Sequence, residues 1–345
     1  MRSLRPVLPL ALRCGAALLL SAAAPAAKDV DLVIVTDEAE AALGILESRL
    51  AHRPVPEASW KALFASEGYQ RLKSRETAMG RSFDDADFRA FLLSDTLLVR
   101  TQALRSALAA WRKADLRVAG AKALAYLPSG ARLRARVYLL IKPKGNSFVF
   151  EADTDPAITL YLDPSRTRSQ LENTVAHELH HIGYATACAA GDSTADSTLA
   201  SARQWLSAFG EGVAMLAAAG DPDSHPHATS PAEDRARWDR DLANAPSDIR
   251  RLEKFFLDIL DRRTDADATR EAGMSFFGVQ GPWYTVGWLM ASTVERAEGR
   301  AALVAALCDP VRLLQAHNAA AARQAGRRGL PRWSDALLDR LAGGS

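Results

Sequence analysis

The run His177-Glu178-Leu179-His180-His181 constrains this chain more than any other feature, because its residues act together when they lie on an α-helix. Positions i and i+4 are one turn apart on the same helical face, so His177 and His181 can grip a single metal ion, with Glu178 about 100° around from His177. That places a base beside the water of a zinc hydrolase site. Leu171, Val175, Leu179 and Ile182 recur at helical spacing away from the two ligand histidines, as an amphipathic helix requires. Ser169-x-x-Glu172 reads as the capping box that opens this helix, and Gly183 as the residue that weakens its end.

A catalytic zinc takes three protein ligands and keeps a fourth position for water, so a third ligand is required. The metzincin pattern would place Gly at 184 and His at 187; Tyr184 and Ala187 exclude it. Downstream, Glu211 stands between Gly210 and Gly212 inside a helical pattern of Leu199, Ala202, Leu206, Phe209, Val213 and Leu216, and points away from that stripe. Each glycine costs about 1 kcal/mol relative to Ala in a helix interior. The expected reason is close approach of this helix to the histidine helix, which lets Glu211 reach the ion. Asp192 and Asp196 are the competing carboxylates, but their Gly191-to-Ser197 surroundings read as a turn and helix cap.

HELHH followed thirty residues after His181 by Glu211-Gly212 resembles the gluzincin arrangement of zinc-dependent peptidases. With Tyr126-Leu127-Pro128, HELHHIGY, GEGVA and Tyr284-x-x-Gly287-x-x-Met290-Ala291, the chain also resembles a bacterial domain-of-unknown-function family described as zinc-dependent peptidases, from about residue 30 to about 320. The resemblance implies a zincin-like fold, one Zn2+ held by His177, His181 and Glu211, catalysis by Glu178, and a sheet edge beside the metal helix that takes extended substrate. Many gluzincins carry an Asp four residues after the ligand Glu to orient a histidine; Met215 occupies that position. Tyr284 reads as a core aromatic or, by the likeness, as a phenol that stabilises an oxyanion. His180, about 100° from His181, reads as a packing or supporting residue.

With 345 residues and 48% hydrophobic content, the chain can bury a large core. Arg2, Arg5 and Arg13, an apolar run at 15–20 and Ala24-Pro25-Ala26 read as an export signal over residues 1–26. Its removal takes the formal net charge from +2 to about −1. A near-neutral chain without a basic cluster gives no electrostatic reason for a nucleic-acid partner, and no later apolar run is long enough to span a membrane. Cys14 falls in the signal; Cys188 and Cys308 remain, either as a disulfide or as two buried thiols.

The organisation expected is α+β: a helical region over 27–130, a sheet with zinc-binding helices over 131–220, and a C-terminal helical lobe over 221–345. Within it, 94–113 reads as one helix, and the segments at 133–141 and 148–150 read as paired strands, with Arg132, Arg134 and Arg136 on a solvated face. Ile158 to Leu162 is a third strand that feeds the metal helix. Residues 220–247 read as an exposed connection with solvated His225 and His227, and Gly281-Pro282 starts a late helix. The function expected is peptide-bond hydrolysis in the periplasm or outside the cell by a zinc-activated water, with Glu178 as base and then acid. The alternatives are an inactive zinc-binding homologue or a zinc amidase acting on cell-wall peptides.

Overall fold

The computed structural model describes residues 29–151, 154–188, 197–324 and 330–343. The expected signal segment and both Asp192 and Asp196 lie outside them. The fold is α+β: many helices surround one small mixed sheet. Strands β1 (Val30–Val35), β2 (Leu133–Leu140), β3 (Phe148–Phe150) and β4 (Ala157–Tyr161) lie in the order β1-β2-β4-β3. β1 and β4 flank β2 in parallel, and β3 runs antiparallel to β4 at the edge.

Burial along β2 follows its sequence. Leu133 and Ala135 are buried while Arg134 and Arg136 face solvent, and then Val137 to Leu140 are covered on both faces. Arg136 pairs with Glu67 at 3.0 Å, so the arginine row is a solvated face as expected. Two expectations fail. The N-terminal region is not purely helical, since β1 precedes its first helix, Asp37–Leu50. β2 and β3 do not pair either, because the chain leaves β2 through Lys144-Gly145-Asn146, forms β3 at the edge and returns as β4 between the two. A three-residue apolar run such as β3 carries too little pattern to specify its neighbour. The run at 94–113 is also divided, into Asp95–Leu98 and Thr101–Trp111, with Leu97, Leu104, Leu108 and Trp111 buried as the stripe demanded.

Three helices build the site. The histidine helix, Arg168–Ala187, buries Leu171, Val175, Leu179 and Ile182. Its capping box is Thr167 with Gln170, two residues earlier than Ser169 with Glu172: Gln170 Oε1 accepts from Thr167 N at 2.8 Å, while Glu172 pairs with Arg168. Gly183 does not weaken the helix end. The helix runs on to Ala187, and a Cβ at 183 would fall 2.1 Å from Leu127 Cδ1, so the glycine makes room for Leu127. Just beyond the helix, Cys188 forms a disulfide with Cys308.

The glutamate helix, Gly210–Ala219, continues Ser197–Leu206 through a short 3-10 turn and ends at Gly220, whose φ of 96° needs glycine. The tyrosine helix, Pro282–Glu298, begins at Gly281-Pro282 as read from the sequence. Its Trp283 lies fully buried among Phe209, Phe255, Phe256 and Phe276. The segment 220–247 is not an exposed connection throughout. Residues Ala232–Ala243 form a helix whose one buried side chain, Trp238, draws the preceding loop inward.

Candidate metal centre

His177 and His181 leave the same face of the histidine helix, and Glu211 reaches them from the first turn of the glutamate helix. The two Nε2 atoms lie 3.1 Å apart, and Glu211 Oε2 is 3.2 Å from each. Four-coordinate zinc with bonds of about 2.0–2.2 Å separates its ligand atoms by roughly 3.3–3.5 Å, so the triangle has the dimensions of three corners of that tetrahedron. Two imidazole nitrogens facing each other at 3.1 Å also need a cation or a proton between them. The donor set, two imidazoles and one carboxylate, therefore fits Zn2+. Among the described residues this is the one cluster of three His, Cys, Asp or Glu side chains able to hold a metal, and no fourth protein ligand joins it.

Without metal, Glu211 overrides the burial that would lower His181 and lifts it to about 9; the two histidines likewise override burial to hold Glu211 well below the usual carboxylate range. A metal ion replaces this proton-mediated pairing and requires neutral imidazoles. Glu178 is buried, which raises its carboxyl against the lowering effect of both histidines, and it makes no hydrogen bond among the described residues. It opens into a cleft of about 670 Å³ that His177, Met215 and Tyr284 also line. Tyr284 stacks on His177 at 6.3 Å with the planes 13° apart; burial and then the charge of Glu211 raise its hydroxyl.

The glycines beside Glu211 act differently from expectation. A Cβ on Gly212 would lie 2.0 Å from Trp288 N and 2.3 Å from Gly287 C, whereas one on Gly210 would meet nothing within 4 Å. Gly212 therefore lets the glutamate helix touch the backbone of the tyrosine helix, whose atoms are the nearest to it, and Gly210 is not needed for approach to any helix. This contact fixes Glu211 and Tyr284 relative to each other. Lys122, which sequence reasoning passed over, ties the third side: its Nζ donates to Asn173 Oδ1 at 2.7 Å and to Ala218 O at 3.0 Å, bridging the histidine helix and the C-terminal turn of the glutamate helix.

His180 is fully buried. Burial drives it down to about 3, so it is neutral, and its Nε2 meets Tyr126 O at 3.3 Å. It is a packing residue that attaches the Tyr126-Leu127-Pro128 segment to the histidine helix. Nδ1 of His177 is buried with no partner among the described residues, as the Met at 215 in place of Asp foretold. His227 is a correction: it is buried, with Nδ1 3.0 Å from Ser230 Oγ and its ring 5.4 Å from Trp238, and it lines the cleft. His225, half-buried, pairs with Asp239 at 3.0 Å. No spacing signal marked either residue, because an irregular loop has no periodicity.

The model of the DUF5700 family, described as "putative zinc dependent peptidase", matches residues 60–326. The chain belongs to this family. That span takes in every helix of the metal centre and begins about thirty residues later than the likeness read from the motifs. No curated protein and no solved structure gives a significant match. For this DUF5700 member the family description accords with the His177, His181 and Glu211 triangle, since zinc dependence requires a donor set of this kind.

Proposed function

We propose that this chain is an exported zinc metallopeptidase of the gluzincin type, with a zincin-like core in which His177, His181 and Glu211 hold one zinc ion. The observation that carries the reading is the convergence of three ligand atoms within 3.1–3.2 Å of one another beside a buried, otherwise unbonded Glu178 at the floor of an open cleft. When bound, zinc supplies Lewis acidity that lowers the pKa of water and polarises a carbonyl. Glu178 takes the proton of the attacking water and passes it to the leaving amine nitrogen, acting as base and then acid. Tyr284, which lines the cleft from the tyrosine helix with its ring stacked on His177, donates its hydroxyl to the oxyanion of the tetrahedral intermediate.

Gly145, Asn146 and Ser147 line the cleft and lead directly into β3, the edge strand. An extended substrate adds to that edge by backbone hydrogen bonds, which suits a peptide or protein better than other amides. The absence of a fourth ligand among the described residues favours a hydrolase over a zinc site that only braces helices. Export is supported by the Cys188–Cys308 disulfide, since such bonds persist in oxidising compartments. No helix among the described residues is long and apolar enough to cross a membrane.

The test is cleavage of an unbiased peptide library by wild type and Glu178→Gln, with zinc content measured for both and for His177→Ala and Glu211→Ala. Glu178→Gln should keep its zinc and lose about 10²–10⁴ in rate, the usual worth of a general base. Both ligand variants should lose the metal. Full activity in zinc-loaded Glu178→Gln would overturn the reading.

A further inference from the structure

Five charged side chains line the cleft: Asp163, Arg166, Glu178, Asp234 and Arg237. Arg237 is neutralised by Asp234 at 2.7 Å, and Asp163 faces Arg100 at 3.9 Å. Arg166 differs. It is half-buried and has no carboxylate partner among the described residues; its guanidinium makes a single hydrogen bond, from Nη1 to Thr174 Oγ1 at 3.1 Å. It also stands immediately before Thr167, the N-cap of the histidine helix, whose first turn holds no acidic residue. A cation at the positive end of a helix dipole is unfavourable, so stability does not account for an unpaired arginine here.

Position on the helix supplies the reason. Asn173 and Thr174 precede His177 by four and three residues and lie on its face. Asn173 gives its side-chain oxygen to Lys122, which leaves its NH2 for the cleft that it lines. Asn173 and the Thr174 that holds Arg166 thus stand about 6 and 4.5 Å along the axis from the metal ligand, which brings the guanidinium and the Asn173 amide to the same stretch of the cleft. That span equals one or two residues of extended peptide at roughly 3.3 Å each.

Resting on the peptidase reading above, we infer that Arg166 and Asn173 form a carboxylate-binding subsite that selects substrates carrying an anionic group within two residues of the bond cleaved. The anion is either the free C-terminal carboxylate of a short peptide or an Asp or Glu side chain. Arginine suits it because its planar fork binds a carboxylate through two parallel charge-assisted hydrogen bonds.

The experiment uses zinc-loaded Glu178→Gln, which holds peptides without turning them over, and three fluorescent peptides of one core sequence. One ends in a free carboxylate, one is amidated and neutral, and one is amidated with a single internal Glu. Binding is read by anisotropy. At least one acidic peptide should bind 10-fold or more tighter than the neutral amide. In Arg166→Gln/Glu178→Gln the three should bind within twofold of one another, and Arg166→Lys should restore part of the preference. Zinc content and melting temperature of the arginine variants confirm that the fold is intact. Preference for the free acid identifies a C-terminal carboxylate, and preference for the Glu peptide identifies a side chain. Equal binding of all three by the arginine-containing protein, or an unchanged preference without Arg166, overturns the subsite. The peptidase reading falls separately, on the cleavage assay with Glu178 intact.

Discussion

Gly212 and Gly210 flank the same ligand, yet substitution by Ala should have opposite effects. At 212 the new Cβ would lie 2.0 Å from Trp288 N, where ordinary contact begins near 3.4 Å, so the glutamate and tyrosine helices must separate by roughly 1 Å or more. The obstacle is backbone, which no rotamer change relieves, so the cost belongs at the upper end of overpacking, about 3 kcal/mol. For a chain of this size that corresponds to a fall of roughly 4–5 °C in melting temperature. Because Glu211 is the neighbouring residue, its Oε2 shifts by a similar amount, well outside the roughly 0.2 Å that metal coordination tolerates. Zinc affinity should drop at least tenfold. Gly210→Ala meets no atom within 4 Å in a residue already helical, at φ −53° and ψ −27°, and should leave stability equal or raised by up to about 1 kcal/mol with zinc affinity unchanged. The assays are thermal unfolding and competition for zinc against a fluorescent chelator. Equal loss of zinc in both variants would refute the helix-contact account and restore the idea that both glycines serve approach to the histidine helix.

Three other expectations follow from particular residues. Tyr284→Phe should keep its zinc and lose about 10²–10³ in kcat with KM little changed, as removal of one oxyanion donor does; steady-state kinetics with metal analysis checks this, and unaltered kcat would assign Tyr284 to packing. Glu38 is buried, with Oε2 accepting from Ile141 N and Oε1 unpartnered among the described residues, and burial lifts it to about 8. A raised acid binds more protons folded than unfolded, so its contribution is fully present below pH 4.5 and is lost as pH climbs toward 8. Glu38→Gln should flatten that decline by about 2–3 kcal/mol in denaturant titrations between pH 5 and 7, a window in which Lys142, lowered to about 8 by burial, stays largely protonated in both states. Cys188→Ser with Cys308→Ser opens a bridge spanning 120 residues, for which the chain-entropy model allows a loss of up to about 5 kcal/mol; an undiminished denaturation midpoint would show that the bridge constrains little.

The candidate metal centre, the cluster of His177, His181 and Glu211, was legible in the sequence because it is local on each helix. The i, i+4 spacing of His177 and His181 and the apolar stripe around Leu179 and Val213 specify directions, and directions were enough to aim Glu211 at the pair. Whatever depended on a partner from elsewhere in the chain was less so. β1 was missed because Val30 to Val35 is one short apolar run beside a signal-like segment, and only pairing with β2 makes it a strand. His227 was taken for a solvated loop residue since the tryptophan that covers it, Trp238, sits in a helix with a single buried side chain and hence almost no amphipathic signal.

The error over the glycines shows where such reasoning stops. Their stability cost marked a close contact near Glu211, and Gly212 does make one, but with Gly287, 75 residues away, rather than with the histidine helix. A residue that is unfavourable by local rules reveals that something approaches; periodicity gives the side from which it comes; neither names it. The same logic singles out Arg166, a cation opposed to its helix dipole and unpaired in a cleft. No carboxylate of the described residues answers it, and the subsite inferred above supplies that carboxylate from the substrate.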